Sequence, residues 1–312
     1  MTVGVIMNPV AGGGRLKQEW PGIRAELEAR IGVFELRETG EPGDAAIFAH
    51  AFALSGFEKI IAVGGDGTVG EVVDGLLMAR EEGAGKVELG VVPCGSGSDF
   101  ARGLGLPLEP LAAARRFADG EAHAIDVGRV CYVGETGRLA SRHFVNIASL
   151  GISGPIARAV NDDRRKERVS AEALFYWRTV SELVRYRFRH VRITIDDQPP
   201  FEARVALVAA SNGKFFGGGM MIAPDAAPDD GLLDVVVLSS ASKPRLIWDL
   251  RLVYGGRHRH HPAITILRGR RISVEPLGDP PDDCALVEVD GECPGHIPAT
   301  FEILPKALTL RY

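Results

Sequence analysis

One stretch near the start of the chain constrains its fold more than any other. Residues 60–63 are apolar and half of them are β-branched, which is typical of a strand buried on both faces. Residues 64–68 (GGDGT) form a glycine-rich loop around Asp66, and apolar residues recur with helical spacing over 69–77. Glycines let a backbone approach a ligand closely, and free N–H groups at a helix start attract anions. The stretch therefore predicts a strand–loop–helix unit that binds a nucleotide phosphate, with a cation bridging the phosphate to Asp66.

The size and charge of the chain exclude several classes of protein. A length of 312 residues favours two domains. The net charge of −5 provides no basic field, so nucleic acid is not an expected partner. The 4 cysteines form no CxxC pair, which favours reduced thiols in a cytoplasmic protein over disulfides or a zinc site. No run of about 18 apolar residues is present, so no membrane-spanning segment is expected.

The first 120 residues alternate between strand-like and helical patterns. Apolar strand-like segments occur at residues 3–7, 33–37, 59–63 and 89–92, each followed by a helical pattern. Such alternation predicts a doubly wound parallel sheet, in which ligands bind at the carboxyl ends of the strands. Glycine or turn loops follow all these segments, so we expect them to share one edge of the sheet.

The pattern changes after residue 120. Short strand-like runs separated by Gly, Pro and Asp turns dominate residues 121–312, and they predict an antiparallel β-sandwich. About the last 12 residues are expected to return to the first domain. Two helical patterns interrupt the strands, at 171–188 and 244–254. The first is aromatic on one side and arginine-rich on the other, and predicts either membrane docking or packing on the sandwich.

Several motifs occur in a fixed order over nearly the full chain. They are Asn8-Pro9 with its glycines, residues 64–68, 93–102 (PCGSGSDFAR), 125–128 (IDVG), 146–151 (NIASLG), 229–234 (DDGLLD) and 289–292 (VDGE). With these motifs the sequence resembles the diacylglycerol kinase-type lipid kinases, a family that includes the sphingosine and ceramide kinases. The GGDGT segment alone is shared with NAD kinases and phosphofructokinases, and the later motifs distinguish this chain from both.

The resemblance implies an N-terminal ATP-binding domain, a C-terminal β-sandwich and an active site in the cleft between them. The nucleotide contacts that it implies are Asn8, Pro9, Val10, Ala11, Gly12, Thr39, Gly65, Asp66, Gly67, Thr68, Val69, Gly70, Glu71 and Ser96. It assigns a magnesium-associated loop to Ala227, Asp230 and Leu232, and the catalytic acid to Glu292. The family's Thr and Asn in the third signature are Ser96 and Ser98 here; Ser96 keeps the hydroxyl, whereas Ser98 lacks the carboxamide.

These residue types suit phosphoryl transfer, which depends on positioning and on neutralising charge at the γ-phosphate. Mg²⁺ on the phosphates, held by Asp66, is expected to supply that charge. Glu292 is the candidate that takes the acceptor's proton, with Asp290 as the alternative catalytic acid. Two plainer interpretations stay open: Asp230 as a turn residue in Asp-Asp-Gly, and Glu292 as a solvated turn residue.

The predicted activity is transfer of the γ-phosphate of ATP to the primary hydroxyl of a diacylglycerol-like lipid. Ceramide or a sphingoid base is the alternative acceptor, and an NAD kinase-like enzyme or a non-catalytic nucleotide sensor are the more distant alternatives. The expected location is the cytoplasm, with peripheral attachment to the inner face of the membrane. The basic cluster at 257–261 is interpreted as a solvated loop facing lipid headgroups, or as a histidine metal site. A homodimer stays open.

Overall fold

The computed structural model describes residues 2–95, 97–163, 171–278 and 284–312. The chain forms two compact units. The N-terminal unit comprises residues 2–126 together with Lys306–Tyr312, and the C-terminal unit comprises Val127–Pro305. The division therefore falls a few residues after the predicted position at 120, and the end of the chain lies with the N-terminal unit.

Strands and helices alternate in the N-terminal unit. They are β1 (Val3–Met7), α1 (Arg15–Ile31), β2 (Glu35–Glu38), α2 (Asp44–Leu54), β3 (Lys59–Gly64), α3 (Asp66–Glu81), β4 (Glu88–Pro93), α4 (Asp99–Gly103) and α5 (Pro110–Asp119). β1, β3 and β4 are almost wholly buried because their side chains are apolar on both faces.

The sheet of this unit is parallel, in the order β2-β1-β3-β4, with Thr309 and Leu310 of the last strand beside β4. The chain moves to one side of β1 to form β2 and to the other side to form β3. The loops after β1 and β3 therefore diverge, which is the topological switch point at which open α/β sheets bind ligands. The predicted parallel, doubly wound sheet is confirmed.

Helices cover both faces of this sheet. On one face α1 packs against α5, and Leu16, Ile23 and Leu27 of α1 are fully buried against the strands. α2 packs against α3, where a Cβ at Gly75 would lie 2.1 Å from the carbonyl oxygen of Ala46. The absence of a side chain at Gly75 therefore lets the two helix backbones approach each other.

The C-terminal unit is built mainly from strands. Its elements are β5 (Ala122–Gly134, which begins in the N-terminal unit), β6 (Leu139–Phe144), β7 (Ile147–Gly151), α6 (Ser153–Asn161), α7 (Ala171–Arg185), β8 (Arg189–Ile195), β9 (Phe201–Ser211), β10 (Phe215–Phe216), β11 (Met220–Met221), β12 (Leu233–Ser239), α8 (Lys243–Asp249), α9 (Arg251–Tyr254), β13 (Ile264–Gly269), β14 (Arg271–Pro276), β15 (Leu286–Val289) and β16 (Glu292–Arg311, which ends in the N-terminal unit).

Strand pairing in this unit is antiparallel, as predicted. The pairs β9–β8, β8–β14, β14–β16, β16–β15, β15–β7 and β7–β9 form a closed circuit, and β12 and β13 extend it from β9. Alternate residues point into the circuit: Val191, Ile193 and Ile195 of β8 are buried in its core. The result is a β-sandwich-like domain.

Helices α6, α7 and α8 cover the outer face of β9 and β12. Leu174, Leu183 and Tyr186 are buried there beside Leu207 and Val236. Packing on the sheet, one of the two interpretations of the 171–188 pattern, therefore accounts for the inner side of α7. Among the described residues, no helix is both long and apolar enough to cross a bilayer.

Candidate active site

The loops of the N-terminal unit begin at aligned strand ends. The backbone N–H of Asn8, just after β1, donates to the Val63 carbonyl at 3.0 Å. The Cys94 N–H, just after β4, donates to the Gly64 carbonyl at 2.8 Å. These bonds extend the sheet register by one residue, so the loops leave the same edge of the sheet, as predicted.

Glycines let these loops pack backbone against backbone. A Cβ at Gly95 would lie 2.7 Å from Cα of Gly65, and a Cβ at Gly64 would lie 2.6 Å from Oγ1 of Thr68. Gly12 has φ +62°, and a Cβ there would lie 2.8 Å from the Cys94 carbonyl oxygen. Larger residues at these positions would push the three loops apart.

Two predicted nucleotide contacts from different loops meet here. Nδ2 of Asn8 donates to Oγ1 of Thr68 at 3.3 Å, and Oδ1 of Asn8 accepts from the Val10 N–H at 3.1 Å. Val69 is buried, and its N–H donates to the Gly65 carbonyl at 3.1 Å, so Val69 supports the loop from inside. Pro9, Ala11 and Gly12 lie in the loop after β1, and Gly67 and Gly70 lie in α3. The predicted contact Ser96 lies outside the described residues.

Two carboxylates fix the loop after β2, which carries Thr39. Oδ2 of Asp44 accepts from the N–H groups of Gly40 at 2.7 Å and Glu41 at 3.0 Å, and these bonds lower the pKa of Asp44. Oε1 of Glu71 accepts from the Gly43 N–H at 2.9 Å. Glu71, predicted as a nucleotide contact, therefore holds the neighbouring loop in this structure.

Asp66 joins the first glycine loop to the third signature. Its Oδ2 accepts from the Asp99 N–H at 3.0 Å and its Oδ1 from the Phe100 N–H at 3.1 Å. These N–H groups belong to the first turn of α4, where they have no intrahelical acceptor. Burial raises the pKa of Asp66, and the N–H donors partly offset the rise. Sequence reasoning missed this role, and the metal-holding role of Asp66 stays a prediction.

In the C-terminal unit, Asp290 anchors the turn between β15 and β16. Its carboxylate accepts from the backbone N–H groups of Val145 at 2.9 Å, Asn146 at 3.2 Å and Ile147 at 2.9 Å. The Asp290 N–H donates to the Ile147 carbonyl at 3.0 Å. Because the backbone engages both oxygens, the structure gives Asp290 a positioning role, and the catalytic role considered from the sequence stays a prediction.

Glu292 lies at the solvent-exposed start of β16, directly after this turn. Gly291 in this turn is held at both its N–H and its carbonyl. The Gly291 N–H donates to Oε1 of Glu288 at 2.6 Å, and Nδ2 of Asn161 donates to the Gly291 carbonyl at 3.1 Å. The Glu292 carboxylate is therefore open to an arriving hydroxyl, and the turn that carries it is held in place.

Asp230, predicted for magnesium, has other partners in this structure. Oδ1 of Asp230 accepts from the Leu232 N–H at 3.0 Å, and its Oδ2 forms an ion pair with Arg268. Nε of Arg268 also lies 3.3 Å from Oδ2 of Asp234. A dication would have to displace this guanidinium, so the turn interpretation describes Asp230, and the metal role of the loop with Ala227 stays a prediction. Within the described ranges, no three His, Cys, Asp or Glu side chains are grouped to hold a metal.

The interpretation of residues 257–261 as a solvated loop is wrong for two of the histidines. His258 is buried with its Nε2 2.8 Å from the Ile222 carbonyl oxygen, and burial lowers its pKa. His261 is also buried, with its Nε2 3.1 Å from Oδ2 of Asp249. Because each ring has its own local partner, these histidines tie the short 3₁₀ helix Arg257–His260 to its surroundings.

Comparisons with family models cover both units. A model described as the diacylglycerol kinase catalytic domain matches residues 2–130. A model described as the YegS C-terminal NAD kinase beta sandwich-like domain matches residues 146–312, more than half of the chain. The chain belongs to the diacylglycerol kinase family of lipid kinases. It is therefore an enzyme of the lipid kinase class, and ATP is the co-substrate that this membership implies.

Individual relatives of this lipid kinase agree. A curated protein named diacylglycerol kinase from Mycobacterium tuberculosis (strain H37Rv) is 28% identical over 309 residues, covering 98% of this chain and 93% of the relative. Another from Bacillus subtilis (strain 168) is 29% identical over 299 residues, covering 95% and 91%. A crystal structure of a diacylglycerol kinase from Bacillus anthracis str. Sterne is 26% identical, with a TM-score of 0.73, covering 100% of this chain and 96% of that one.

We call the loops after β1, β3 and β4 the donor loops, and the close approach of Gly95 to Gly65 within them gives a test on this lipid kinase. Gly95→Ala should lower the free energy of unfolding by about 1–3 kcal/mol, because the new methyl group would overlap the Gly65 backbone. Denaturant unfolding measures the change. Gly85→Ala is the matched control, since a Cβ at Gly85 meets no atom within 4 Å and its change should stay within about 0.5 kcal/mol. Equal stability of both variants would contradict the close loop packing.

Proposed function

We propose that this lipid kinase transfers the γ-phosphate of ATP to the primary hydroxyl of diacylglycerol. The observation that carries the proposal is the set of glycine loops at the switch point of the parallel sheet, held together by Asp66. Curated relatives of almost the same extent carry the name diacylglycerol kinase. Their names support diacylglycerol as the acceptor to test first.

The donor loops bind the nucleotide in this proposal. The phosphate oxygens accept hydrogen bonds from backbone N–H groups at the start of α3 and around Gly12. A helix N-terminus favours negative charge, which suits this arrangement. The hydroxyl of Thr68, which Asn8 orients, donates a hydrogen bond to the same phosphate. Mg²⁺ bound together with the nucleotide would supply positive charge that lowers the barrier to transfer.

Glu292 acts on the acceptor. The acceptor hydroxyl oxygen attacks the γ-phosphorus, the bond to the β–γ bridging oxygen breaks, and ADP leaves with that electron pair. The hydroxyl proton passes to the Glu292 carboxylate, which returns it to water after the product leaves. An active site that uses residues of both units stays the expectation that the family resemblance gives.

We further propose that α7 and α8 carry the contact with the membrane at its inner face. Trp177 is 65% exposed, Val184 59% and Trp248 68%. Nζ of Lys243, at the start of α8, donates to the Val184 carbonyl at 2.8 Å, which joins the two helices. Exposed tryptophans beside arginines suit an anionic bilayer: the guanidinium of Arg251 lies 4.2 Å from the Trp248 ring centroid.

This surface predicts a specific loss of membrane binding. The double variant Trp177→Ser/Trp248→Ser should bind vesicles containing phosphatidylglycerol at least about tenfold more weakly, since two interfacial aromatic anchors are removed. Co-sedimentation over a range of lipid concentrations measures the binding. Leu139→Ser, which removes an 81% exposed leucine from β6, is the control and should bind normally. Normal binding by the double variant would move the docking surface elsewhere.

The acceptor is tested by offering alternatives side by side. The protein is incubated with γ-labelled ATP and Mg²⁺ in mixed micelles containing diacylglycerol, ceramide or sphingosine, and separately with NAD. The proposal expects label in phosphatidate, with a kcat/KM at least about tenfold above the other acceptors. Preferential labelling of ceramide or sphingosine would replace the acceptor, and labelling of NAD alone would overturn the lipid assignment.

A further inference from the structure

A buried acid lies behind the Glu292 turn without a role in the scheme above. Glu288, on β15, is 5% exposed. Its Oε1 accepts the Gly291 N–H, and its Oε2 contacts the hydroxyl of Ser149 on β7. Oγ of Ser149 lies 2.7 Å from Oγ of Ser153 at the start of α6. The three side chains form a buried chain that ends on the N–H of Gly291, the residue before Glu292.

This chain can be hydrogen-bonded in two directions. Each serine hydroxyl has one proton and can also accept a hydrogen bond. When Glu288 is ionised, Ser153 donates to Ser149, which donates to Glu288. When Glu288 is protonated, it donates to Ser149, which donates to Ser153. The two serines therefore accommodate both protonation states without a change in position.

The charges around Glu288 are mostly of its own sign. Asp290 and Glu292 lie on the same hairpin, and both raise its pKa. Cys293 follows them, and Arg158 of α6 lies beside Cys293 and within 3.5 Å of Oε1 of Glu135. Burial is the main cause that raises the pKa of Glu288 to about 7, and the Ser149 hydroxyl and Gly291 N–H oppose it. On the side of β7, the group that faces Glu288 is the Ser149 hydroxyl.

We propose that Glu288 is a positioning residue for Glu292: through the Gly291 N–H and its own charge, it sets the pH dependence of phosphoryl transfer. The inference rests on the proposed function. An ionised Glu288 accepts a stronger hydrogen bond from the Gly291 N–H than a neutral one does. It also places a second negative charge near Glu292, which strengthens the hold of Glu292 on an arriving proton. Turnover is therefore higher when Glu288 is ionised.

Glu288→Gln imitates the protonated state. The amide oxygen can still accept the Gly291 N–H, and the amide nitrogen donates to Ser149. We expect kcat of this variant to match wild type near pH 6 and to fall roughly fivefold below it near pH 8, with an unchanged KM for ATP. Glu275→Gln, on an exposed glutamate of β14, is the matched control and should leave the pH profile unchanged.

Ser149→Ala tests the hydrogen bond between Ser149 and Glu288 through the pH midpoint of kcat. It leaves the Glu288 charge in place but removes a hydroxyl that stabilises the ionised form. The midpoint of the kcat profile should therefore move to higher pH, while Glu288→Gln removes the midpoint altogether. Thermal unfolding at pH 6 checks that both variants are folded.

The outcomes separate the two proposals. An active wild type whose pH profile runs parallel to that of Glu288→Gln overturns the inference and leaves the proposed function intact. A wild type that phosphorylates no lipid overturns both. A flattened profile for Glu288→Gln with a raised midpoint for Ser149→Ala supports the inference.

Discussion

Glu292→Gln is expected to reduce kcat for diacylglycerol phosphorylation by about 10²- to 10⁴-fold, the usual contribution of a general base. The amide has the size of the carboxylate but cannot take the acceptor's proton. Nucleotide affinity should persist, because the donor loops are in the N-terminal unit and Glu292 is not among them. Steady-state kinetics in mixed micelles and calorimetric titration with ATP measure the two quantities separately.

Asp290→Asn is the matched control for Glu292→Gln, because it changes a neighbouring acid in the same way. It weakens three backbone hydrogen bonds, to Val145, Asn146 and Ile147, and should lower the free energy of unfolding by about 1–3 kcal/mol. Glu292→Gln, on an exposed side chain, should leave that free energy within about 0.5 kcal/mol of wild type. Normal turnover by Glu292→Gln would remove Glu292 from the role of base.

Stability should depend on pH through Glu288. Its pKa is about 7 in the folded protein against an ordinary 4.5, so the folded state keeps a proton that the unfolded chain loses above pH 4.5. Folding stability therefore falls as the pH rises from about 4.5 to about 7. The loss reaches about 3 kcal/mol above pH 7, from 2.5 pKa units at about 1.36 kcal/mol each.

The comparison with Glu288→Gln isolates this effect. The amide does not titrate, so the variant lacks the decline, and the difference in unfolding free energy between variant and wild type should grow in the variant's favour between pH 5 and pH 8. Urea denaturation at several pH values measures the difference. A constant difference across this range would show that Glu288 titrates near its ordinary value.

The sheet of the N-terminal unit was predictable because each of its strands can be recognised from a short stretch of adjacent residues. Runs such as 60–63, buried on both faces, require only their own apolar side chains to be recognised. The loop 64–68 was predictable for the same reason, since its glycines and its flanking strand and helix are adjacent in the sequence. The short strands of the C-terminal unit, separated by turns, were also predictable. The closure of their circuit through β8, β14 and β16 was not.

The partners of the acidic residues could not be predicted. Asp66 binds N–H groups at Asp99 and Phe100, and Asp290 binds those of residues 145–147. The sequence predicted a metal-holding role for Asp66 and a catalytic role for Asp290. In the structure each carboxylate holds a loop that is distant in the sequence. The sequence shows that a carboxylate is present, but only the fold determines which backbone donors face it. Burial of His258 and His261 was hidden for the same reason.

We expect this chain itself to phosphorylate a lipid hydroxyl, with Glu292 as the base in the reaction. Mass spectrometry of the lipid recovered after incubation of diacylglycerol with ATP and Mg²⁺ tests it directly, using wild type and Glu292→Gln purified in parallel. We expect phosphatidate from wild type and at least about 100-fold less of it from the variant. Equal amounts from both proteins, or none from wild type, would contradict it.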